Sequence, residues 1–517
     1  RGLGDVYKRQ SLTYPRQSDF DNENKLFFIL ESNEEKYLEI TNFDGGNAPI
    51  LYDMTNKLRL FPVLQEGIYR VVLPAGADAN VKRELYIANT EVVCDLGCSF
   101  PCIPDCLTCS ANVCAVLNVT AMQPATFTDF SQIANQGNYI LLTHPSLQAG
   151  STDYAQLYAD YRASAEGGNY NTVVVNVEEL YDQFSIGLPK HPMAIRNFVN
   201  YAVDNWINSP AYLFLFGKSV SYDIANSATA YDACLIPTWG HHPSDNMLAV
   251  RDASTYVPQI AVGRVSARTP NDVRAYYEKV VSYEAENACS IEERAWTKNF
   301  LHIAGGHNVT QMNDYLDYLA DYEEIVEDVA YAGTVVKTFQ QASFSIQPQP
   351  EFDAYMNDGA AMITLVGHSL GLDAWNFDIE EPEDYTNGDI DAFPFMFAGS
   401  CFVGDIHEFN QSTASMSERF VLADDAGAIG FLATVSFGFP QYLDVFCEDL
   451  YQQFSNESYG QPLGYCMLET LNNIYVGDPN DTDYKGIKIT SEEFTFQGDP
   501  AITVSYTHLR AHETETN

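Results

Sequence analysis

A histidine and a cysteine that could work together in catalysis each follow a short apolar segment of this 517-residue chain. His368 comes directly after 361–367 (AMITLVG), and Cys401 directly after 393–400 (FPFMFAGS). Short apolar segments predict buried strands, and parallel strands present their carboxyl ends at one sheet edge, where ligands bind. A neighbouring base activates a thiol, because the thiolate is the attacking species. The sequence therefore predicts a cysteine nucleophile and a histidine base.

A serine nucleophile is an alternative interpretation of the same segment. Residues 367–371 (GHSLG) fit the G-x-S-x-G pattern of α/β-hydrolases, which would make Ser369 the nucleophile of an esterase. That pattern should open a helix, whereas 372–385 is rich in Asp and Glu and predicts a loop. Its triad also needs a later histidine, for which His407 is the main choice. A buried structural His and a buried free Cys are a third interpretation.

The two ends of the chain, residues 1–10 and 504–517, do not resemble the rest of the sequence. Both look like translated sequencing-adapter read-through, and the second end holds two of the ten histidines. We therefore expect neither end to belong to the folded protein.

The charge balance limits the partners of this chain. Lys and Arg number 27 against 70 Asp and Glu, a net charge of −43, which repels nucleic acid and anionic lipid. We therefore expect no nucleic-acid partner. No apolar run approaches the ~20 residues of a membrane span, so we expect no membrane span either. A Cys–His pair requires no cofactor. The acidic residues of 378–391 make Ca²⁺ a candidate structural ion, although EF-hand spacing is missing.

Six of the eleven cysteines are crowded into one short segment and predict disulfides in an oxidising compartment. A zinc site is the weaker interpretation, because only one pair has a suitable C-x-x-C spacing and no His lies nearby. We expect an extracellular or bacterial cell-surface protein. The six are Cys94, Cys98, Cys102, Cys106, Cys109 and Cys114.

The pattern of elements changes along the chain. Residues 11–93 contain short strand-like runs separated by turn signals and predict a small antiparallel β-domain, followed by a Cys-rich linker at 94–117. Strand and helix patterns then alternate, which predicts a mostly parallel sheet covered on both faces. We assign 118–290 to a first α/β sub-domain and 291–503 to a second, catalytic one.

From about residue 138 to 503 the chain resembles the gingipain-type cysteine peptidases of the C25 family. The resemblance implies a caspase-like α/β sandwich. The N-terminal stretch from Thr41 to Asp53 also resembles the β-region of larger members, which include the sortase of the type IX secretion system. In order, the matching segments are 139–145 (YILLTHP), 214–218 (FLFGK), 260–264 (IAVGR), 367–368 (GH), 401–406 (CFVGDI) and 498–500 (GDP).

The resemblance assigns catalytic roles to three residues. His368 would be the general base and acid, and Cys401 the nucleophile. The backbone N–H groups of Ser369 and Cys401 would form the oxyanion hole. The family's usual residue at position 369 is Gly, so a serine there would be strained if the backbone needed a positive φ.

Three further residues receive supporting roles. Asp245 matches a position tied to the P1-side pocket in basic-specific members, with a structural turn cap as the alternative. Trp375 would contribute to substrate binding as a pocket wall, or else to the core. Asp223 is a candidate for orienting His368.

The implied activity is peptide-bond cleavage through a thioester by a secreted or surface cysteine endopeptidase. Its partners would be a peptide or protein substrate, with the secretion machinery as a further candidate. The alternatives are a sortase-like transpeptidase of the type IX system and a catalytically dead surface-binding homologue. The esterase based on Ser369 is the least favoured.

Overall fold

The computed structural model of the chain contains two compact units, one before and one after about residue 124. The six crowded cysteines, both extreme ends and Trp375 lie outside the described residues. The structure describes residues 19–46, 49–89, 127–252, 255–285, 294–328, 330–343, 345, 347–348, 350–369, 371, 377–409, 414–475, 477 and 480–504.

The first unit is a β-domain of two four-stranded sheets, with strand orders β1-β3-β7-β6 and β2-β8-β4-β5. All pairings are antiparallel except that of β1 with β3. Its core is built from inward-facing residues such as Ile40, Leu73 and Leu85. The strands are β1 (Asp19–Glu23), β2 (Lys25–Leu30), β3 (Lys36–Phe43), β4 (Ile50–Asp53), β5 (Leu58–Leu60), β6 (Val63–Gln65), β7 (Ile68–Leu73) and β8 (Arg83–Ala88).

The second unit is built around one ten-stranded sheet, and it contains a separate pair of two-residue strands, β15 and β17. The strand order of the large sheet is β10-β9-β11-β12-β20-β19-β18-β16-β13-β14. The strands are β9 (Tyr139–Thr143), β10 (Thr172–Asn176), β11 (Tyr212–Phe216), β12 (Ala261–Val265), β13 (Asn299–Gly306), β14 (Thr334–Ala342), β15 (Gln347–Pro348), β16 (Met362–Gly367), β17 (Phe377–Asp378), β18 (Phe395–Gly399), β19 (Gly430–Thr434) and β20 (Phe494–Gln497).

Helices connect these strands and pack against the sheet. Pro192 is the N-cap of α3 and precedes its first residue. Among the described helices, α2, α4, α7, α8 and α11 were not predicted from the sequence. The helices are α1 (Tyr154–Ala163), α2 (Val177–Phe184), α3 (Met193–Asn205), α4 (Ala228–Ala233), α5 (Pro270–Ala285), α6 (Val309–Glu327), α7 (Pro350–Asp358), α8 (Met416–Leu422), α9 (Pro440–Gln452), α10 (Leu463–Ile474) and α11 (Thr482–Glu493).

The large sheet is mostly parallel and deeply buried, as the sequence predicts. Every residue of β9, β11, β16, β18 and β19 is buried, because these runs are apolar on both faces. β20 joins the two halves: it pairs with β12 in the parallel sense through Arg264 and Gln497, and with β19 in the antiparallel sense. The two predicted α/β sub-domains thus share one sheet.

None of the helices in the described part of the chain is long and apolar enough to cross a membrane.

Candidate active site

The ends of two neighbouring parallel strands place His368 and Cys401 side by side. β16 and β18 pair in register up to Val366 and Gly399, so each of the two residues lies two positions beyond the last pair. Adjacent strands are ~4.8 Å apart. The Ser400 hydroxyl continues the link by donating to the Gly367 carbonyl at 2.9 Å.

Both side chains line one cavity of about 80 Å³ beside the carboxyl ends of these strands. Helix α6 supplies Tyr315, Tyr318 and Tyr322 to its wall, and α9 supplies Leu443, Asp444 and Cys447. Tyr322 Oη donates to Asp444 Oδ1 at 2.8 Å, and burial raises the pKa of the Asp444 carboxyl. The wall of the cavity therefore contains three tyrosine rings and one carboxylate.

The Cys401 thiol is held by the backbone of the loop after β19. Its Sγ accepts from the Gly438 N–H at 3.4 Å and donates to the Gly438 carbonyl at 3.8 Å. Burial raises the pKa of the thiol, the Gly438 N–H lowers it, and the charge of Glu493 raises it further. Of the free cysteines that the structure describes, Cys401 alone is partly exposed; the others are buried. The resting cysteine is thus a protonated thiol that needs a base.

The residue after the cysteine has an unusual backbone. Phe402 adopts a φ of 60°, which a bulky residue rarely does. Its N–H donates to the Ser436 carbonyl at 3.0 Å, and two residues later the Gly404 N–H donates to the Thr434 carbonyl at 2.8 Å. The neighbouring strand β19 therefore fixes the sharp turn that carries the thiol. Strained backbone of this kind concentrates at functional sites.

The His368 ring is contacted by two side chains of the β13–α6 segment. Its Nε2 lies 3.4 Å from Tyr315 Oη, and its ring centroid is 3.8 Å from that of His307. Burial lowers the pKa of His368, and the charge of His307 lowers it further. Burial also raises the pKa of Tyr315 to about 12, with the nearby Cys401 adding to the effect. A neutral imidazole can accept a proton from a protonated thiol.

Sequence reasoning missed His307. It follows β13 directly, after the apolar run 300–304 and two glycines. The same signal, an apolar run, glycine and then histidine, identified His368. Because β13, β16 and β18 are adjacent and parallel, His307, His368 and Cys401 follow three neighbouring strand ends.

The described residues around Ser369 do not support an esterase site. Its hydroxyl accepts a hydrogen bond from the Gly371 N–H at 2.9 Å. Among the described residues from 377 to 409, short strands and 3₁₀ turns occur and no α-helix. His407 is buried and its Nδ1 lies 2.6 Å from Ser219 Oγ. The strain expected at Ser369 is also missing, because the positive φ falls on Gly371.

Asp245 is buried in an ion pair. Its carboxylate accepts from Arg264 Nε at 2.6 Å and from a terminal guanidinium nitrogen at 2.7 Å. Although burial opposes ionisation, the neighbouring Arg264 lowers the pKa of Asp245. Asp245 precedes a 3₁₀ turn but makes no side-chain capping bond there. It is not among the residues that line the cavity with Cys401, so the structure supports neither a P1 contact nor a turn cap.

Asp223 is not brought to His368 in the described part of the chain. Its carboxylate accepts from the Ser221 hydroxyl and lies 3.8 Å from His241 Nδ1. The contacts of His368 come from His307 and Tyr315 instead. The predicted role of Trp375 stays a prediction, because that residue lies outside the described ranges.

A buried ion pair anchors the loop that follows the cysteine. Lys218 Nζ donates to the Ile406 carbonyl at 2.6 Å and to both carboxylate oxygens of Glu418 at 2.8 Å. Arg268 contacts the same carboxylate at 3.1 Å. The loop is thereby tied to the segment after β11.

No group of three or more His, Cys, Asp or Glu side chains in the described ranges could hold a metal ion. The structural Ca²⁺ suggested by residues 378–391 stays a prediction.

The sequence profile of peptidase family C25 matches residues 132–505, which is more than half of the chain. The chain belongs to peptidase family C25. This family assignment makes the protein a cysteine-type peptidase and confirms the resemblance seen in the sequence.

Solved protease structures share the fold of this chain. The Arg-specific cysteine proteinase gingipain R (RgpB) superposes with a TM-score of 0.54 at 16% identity, covering 72% of this chain and 79% of that one. The complex of Porphyromonas gingivalis RgpB pro- and mature domains gives 0.53 at 15% identity, covering 71% and 80%. A third structure, described as a protease, gives 0.51 at 12% identity, covering 71% and 78%. No curated protein sequence matches the chain.

Proposed function

We propose that this C25 peptidase is a secreted or cell-surface endopeptidase that cleaves proteins through a Cys401–His368 dyad. The observation that carries the proposal is the shared cavity: both side chains line it, at equal positions beyond two paired strands. The acidic surface and crowded cysteines support an extracellular setting. The solved RgpB complex, in which a protease is bound to its own pro-domain, supports a protein as substrate.

The reaction would begin with a proton transfer from Cys401 Sγ to His368. The sulfur then forms a bond to the scissile carbonyl carbon, and the C=O π electrons move to the oxygen, where the backbone N–H groups of Ser369 and Cys401 would stabilise the oxyanion. His368 returns the proton to the leaving amine as the C–N bond breaks, which leaves a thioester. Attack by water releases the acid and restores the thiol.

The wall of the cavity suggests where a basic P1 residue would be recognised. Asp444 is the one carboxylate among the lining residues of the described chain, and three tyrosine rings surround the same space. An arginine or lysine side chain would thus meet Asp444 and aromatic faces. Asp245 would act only indirectly, by fixing Arg264.

The test is hydrolysis of fluorescein-labelled casein by the full chain and its variants. Cys401→Ala and His368→Ala should each reduce the rate by about 10⁴-fold or more. Cys466→Ala is the matched control, because that thiol is also free but buried away from the dyad. Iodoacetamide should label Cys401 in the parent protein ahead of the buried Cys234, Cys447 and Cys466.

Three outcomes would redirect the assignment. Full activity in Cys401→Ala together with loss in Ser369→Ala would establish the esterase-type nucleophile. Transfer of the acyl group to added glycine methyl ester, in preference to water, would establish a transpeptidase. An inert protein whose Cys401 is not alkylated would establish a catalytically dead homologue.

A further inference from the structure

A second histidine, His307, contacts the ring of the proposed base. The His307 and His368 rings are 3.8 Å apart at their centroids with 41° between their planes, which is direct ring contact. General-base histidines are commonly oriented by a third side chain, most often an acid. Asp444, the carboxylate that lines this cavity, is bound by Tyr322 instead.

The local sequence fixes His307 against the dyad. A side chain at Gly306 would lie 2.5 Å from the Met312 backbone nitrogen, so glycine is required for α6 to start this close to β13. Asn308 caps the helix by accepting from the Gln311 N–H at 3.0 Å. The Gln311 side chain in turn accepts from the His307 N–H at 3.0 Å. This reciprocal cap leaves the His307 backbone little freedom.

Tyr315, one turn further along α6, holds the other side of the base. Its Oη lies 3.4 Å from His368 Nε2. If Nε2 carries the proton and donates to Tyr315, Nδ1 is left as the nitrogen that can accept a proton. The β13–α6 segment thus contacts His368 both through the face of its ring and through Nε2.

We propose that His307 is a positioning residue of the dyad: it holds the His368 ring in place, and its imidazole sets the electrostatic surroundings of that ring. This inference rests on the proposed function, because it matters for catalysis only if His368 is the base. A base beside a positive charge stays neutral to lower pH, so the enzyme would keep activity in mildly acidic surroundings.

Other ionisable groups line the same cavity as His368. Cys401 lies in the loop after β18, Tyr315 is on α6, and Asp444 is on α9. The variants below change His307 alone, so these other contributions stay constant.

The experiment measures the pH dependence of casein hydrolysis, as kcat/KM, in the full chain. His307→Gln removes the imidazole and should move the acid limb of the pH profile to higher pH, because the pKa of His368 then rises towards its ordinary value. His307→Glu should move the limb further in the same direction. His144→Gln is the matched control: His144 also directly follows a strand of this sheet, β9, but five strands separate β9 from β16.

A second measurement does not depend on activity. In a Cys401→Ala background, the ring resonance of His368 is titrated by NMR with histidine-labelled protein, with and without His307→Gln. The expected result is the same upward shift of the His368 midpoint. An unchanged acid limb and NMR midpoint in both variants, even with a lower overall rate, would show that His307 only packs, and would overturn the proposal. Failure of the proposed function can be told apart from failure of this inference, because the proposed function is tested by the activity of Cys401→Ala alone.

Discussion

The buried ion pair between Lys218 and Glu418 should make the site-bearing loop sensitive to a single substitution. Lys218→Met keeps the length of the side chain but removes the ammonium group that binds the Ile406 carbonyl and the Glu418 carboxylate. Both side chains are almost fully buried, at 0% and 2% exposure. Removing one partner of such a pair leaves an uncompensated charge and costs about 3–5 kcal/mol.

The neighbouring Arg268 determines how much stability is lost within the range of about 3–5 kcal/mol. Arg268 still contacts Glu418 at 3.1 Å in the variant but is partly exposed, so it compensates the carboxylate incompletely. We therefore expect a loss of about 3 kcal/mol in the free energy of unfolding. Casein hydrolysis should fall as well, because the loop after Cys401 loses its anchor at Ile406.

Urea denaturation followed by tryptophan fluorescence provides the measurement. Lys337→Met is the matched control, since Lys337 pairs with Glu351 at 2.6 Å but on the surface, where solvent screens such pairs and they contribute little to stability. The double variant Lys218→Met/Glu418→Met should be more stable than Lys218→Met, because it removes the stranded carboxylate. A loss no larger than that of Lys337→Met would refute the reasoning.

Three further predictions concern pH and packing. Burial lowers the pKa of His407 to about 3, which is below its value in the unfolded chain. Protonation therefore favours the unfolded chain as pH falls below about 6.5. When the pH is lowered from 6.5 to 5, the free energy of unfolding, measured by urea titration, should fall by about 2 kcal/mol less in His407→Gln than in the parent. Burial raises the pKa of Glu493 to about 8, and the charge of Glu493 raises the pKa of Cys401. Glu493→Gln should therefore speed iodoacetamide labelling of Cys401 above pH 8. An equal or slower labelling rate would contradict this. Gly404→Ala would place a Cβ 2.4 Å from the Ala433 carbonyl oxygen, and should cost about 1–3 kcal/mol in thermal or urea unfolding, whereas a neutral effect would show that the loop can shift.

The strands that precede His368 and Cys401 were predictable because they are almost entirely apolar. β16 and β18 are buried on both faces, so a run of hydrophobic residues marks each of them, and the residue types at their ends indicate the chemistry. β14 lies at the edge of the sheet and is only partly buried, so its sequence, TVVKTFQQA, carries no such run. Hydrophobic periodicity reports burial, and an edge strand has little of it.

The sequence does not show which side chains contact one another in the folded protein. The Asp245 carboxylate is neutralised by Arg264, a charged residue inside the otherwise apolar strand β12, and nothing in the spacing of the two indicates that they meet. His307 has the same strand–glycine–histidine signal as His368, but its contact with the dyad depends on β13 being the neighbour of β16. Such neighbour relations are set by the topology of the whole sheet.

The position of β20 has a consequence for how the protein is made. It is the last described strand along the chain, yet it lies in the interior of the sheet, between β12 and β19. During synthesis on the ribosome, the edges of β12 and β19 that face β20 stay unpaired until β20 has been made, more than 50 residues after β19. Long-range pairing of this kind is slow and exposes the chain to aggregation. It also means that the complete ten-stranded sheet, with His368 and Cys401 on one half, forms only once Phe494–Gln497 has been synthesised.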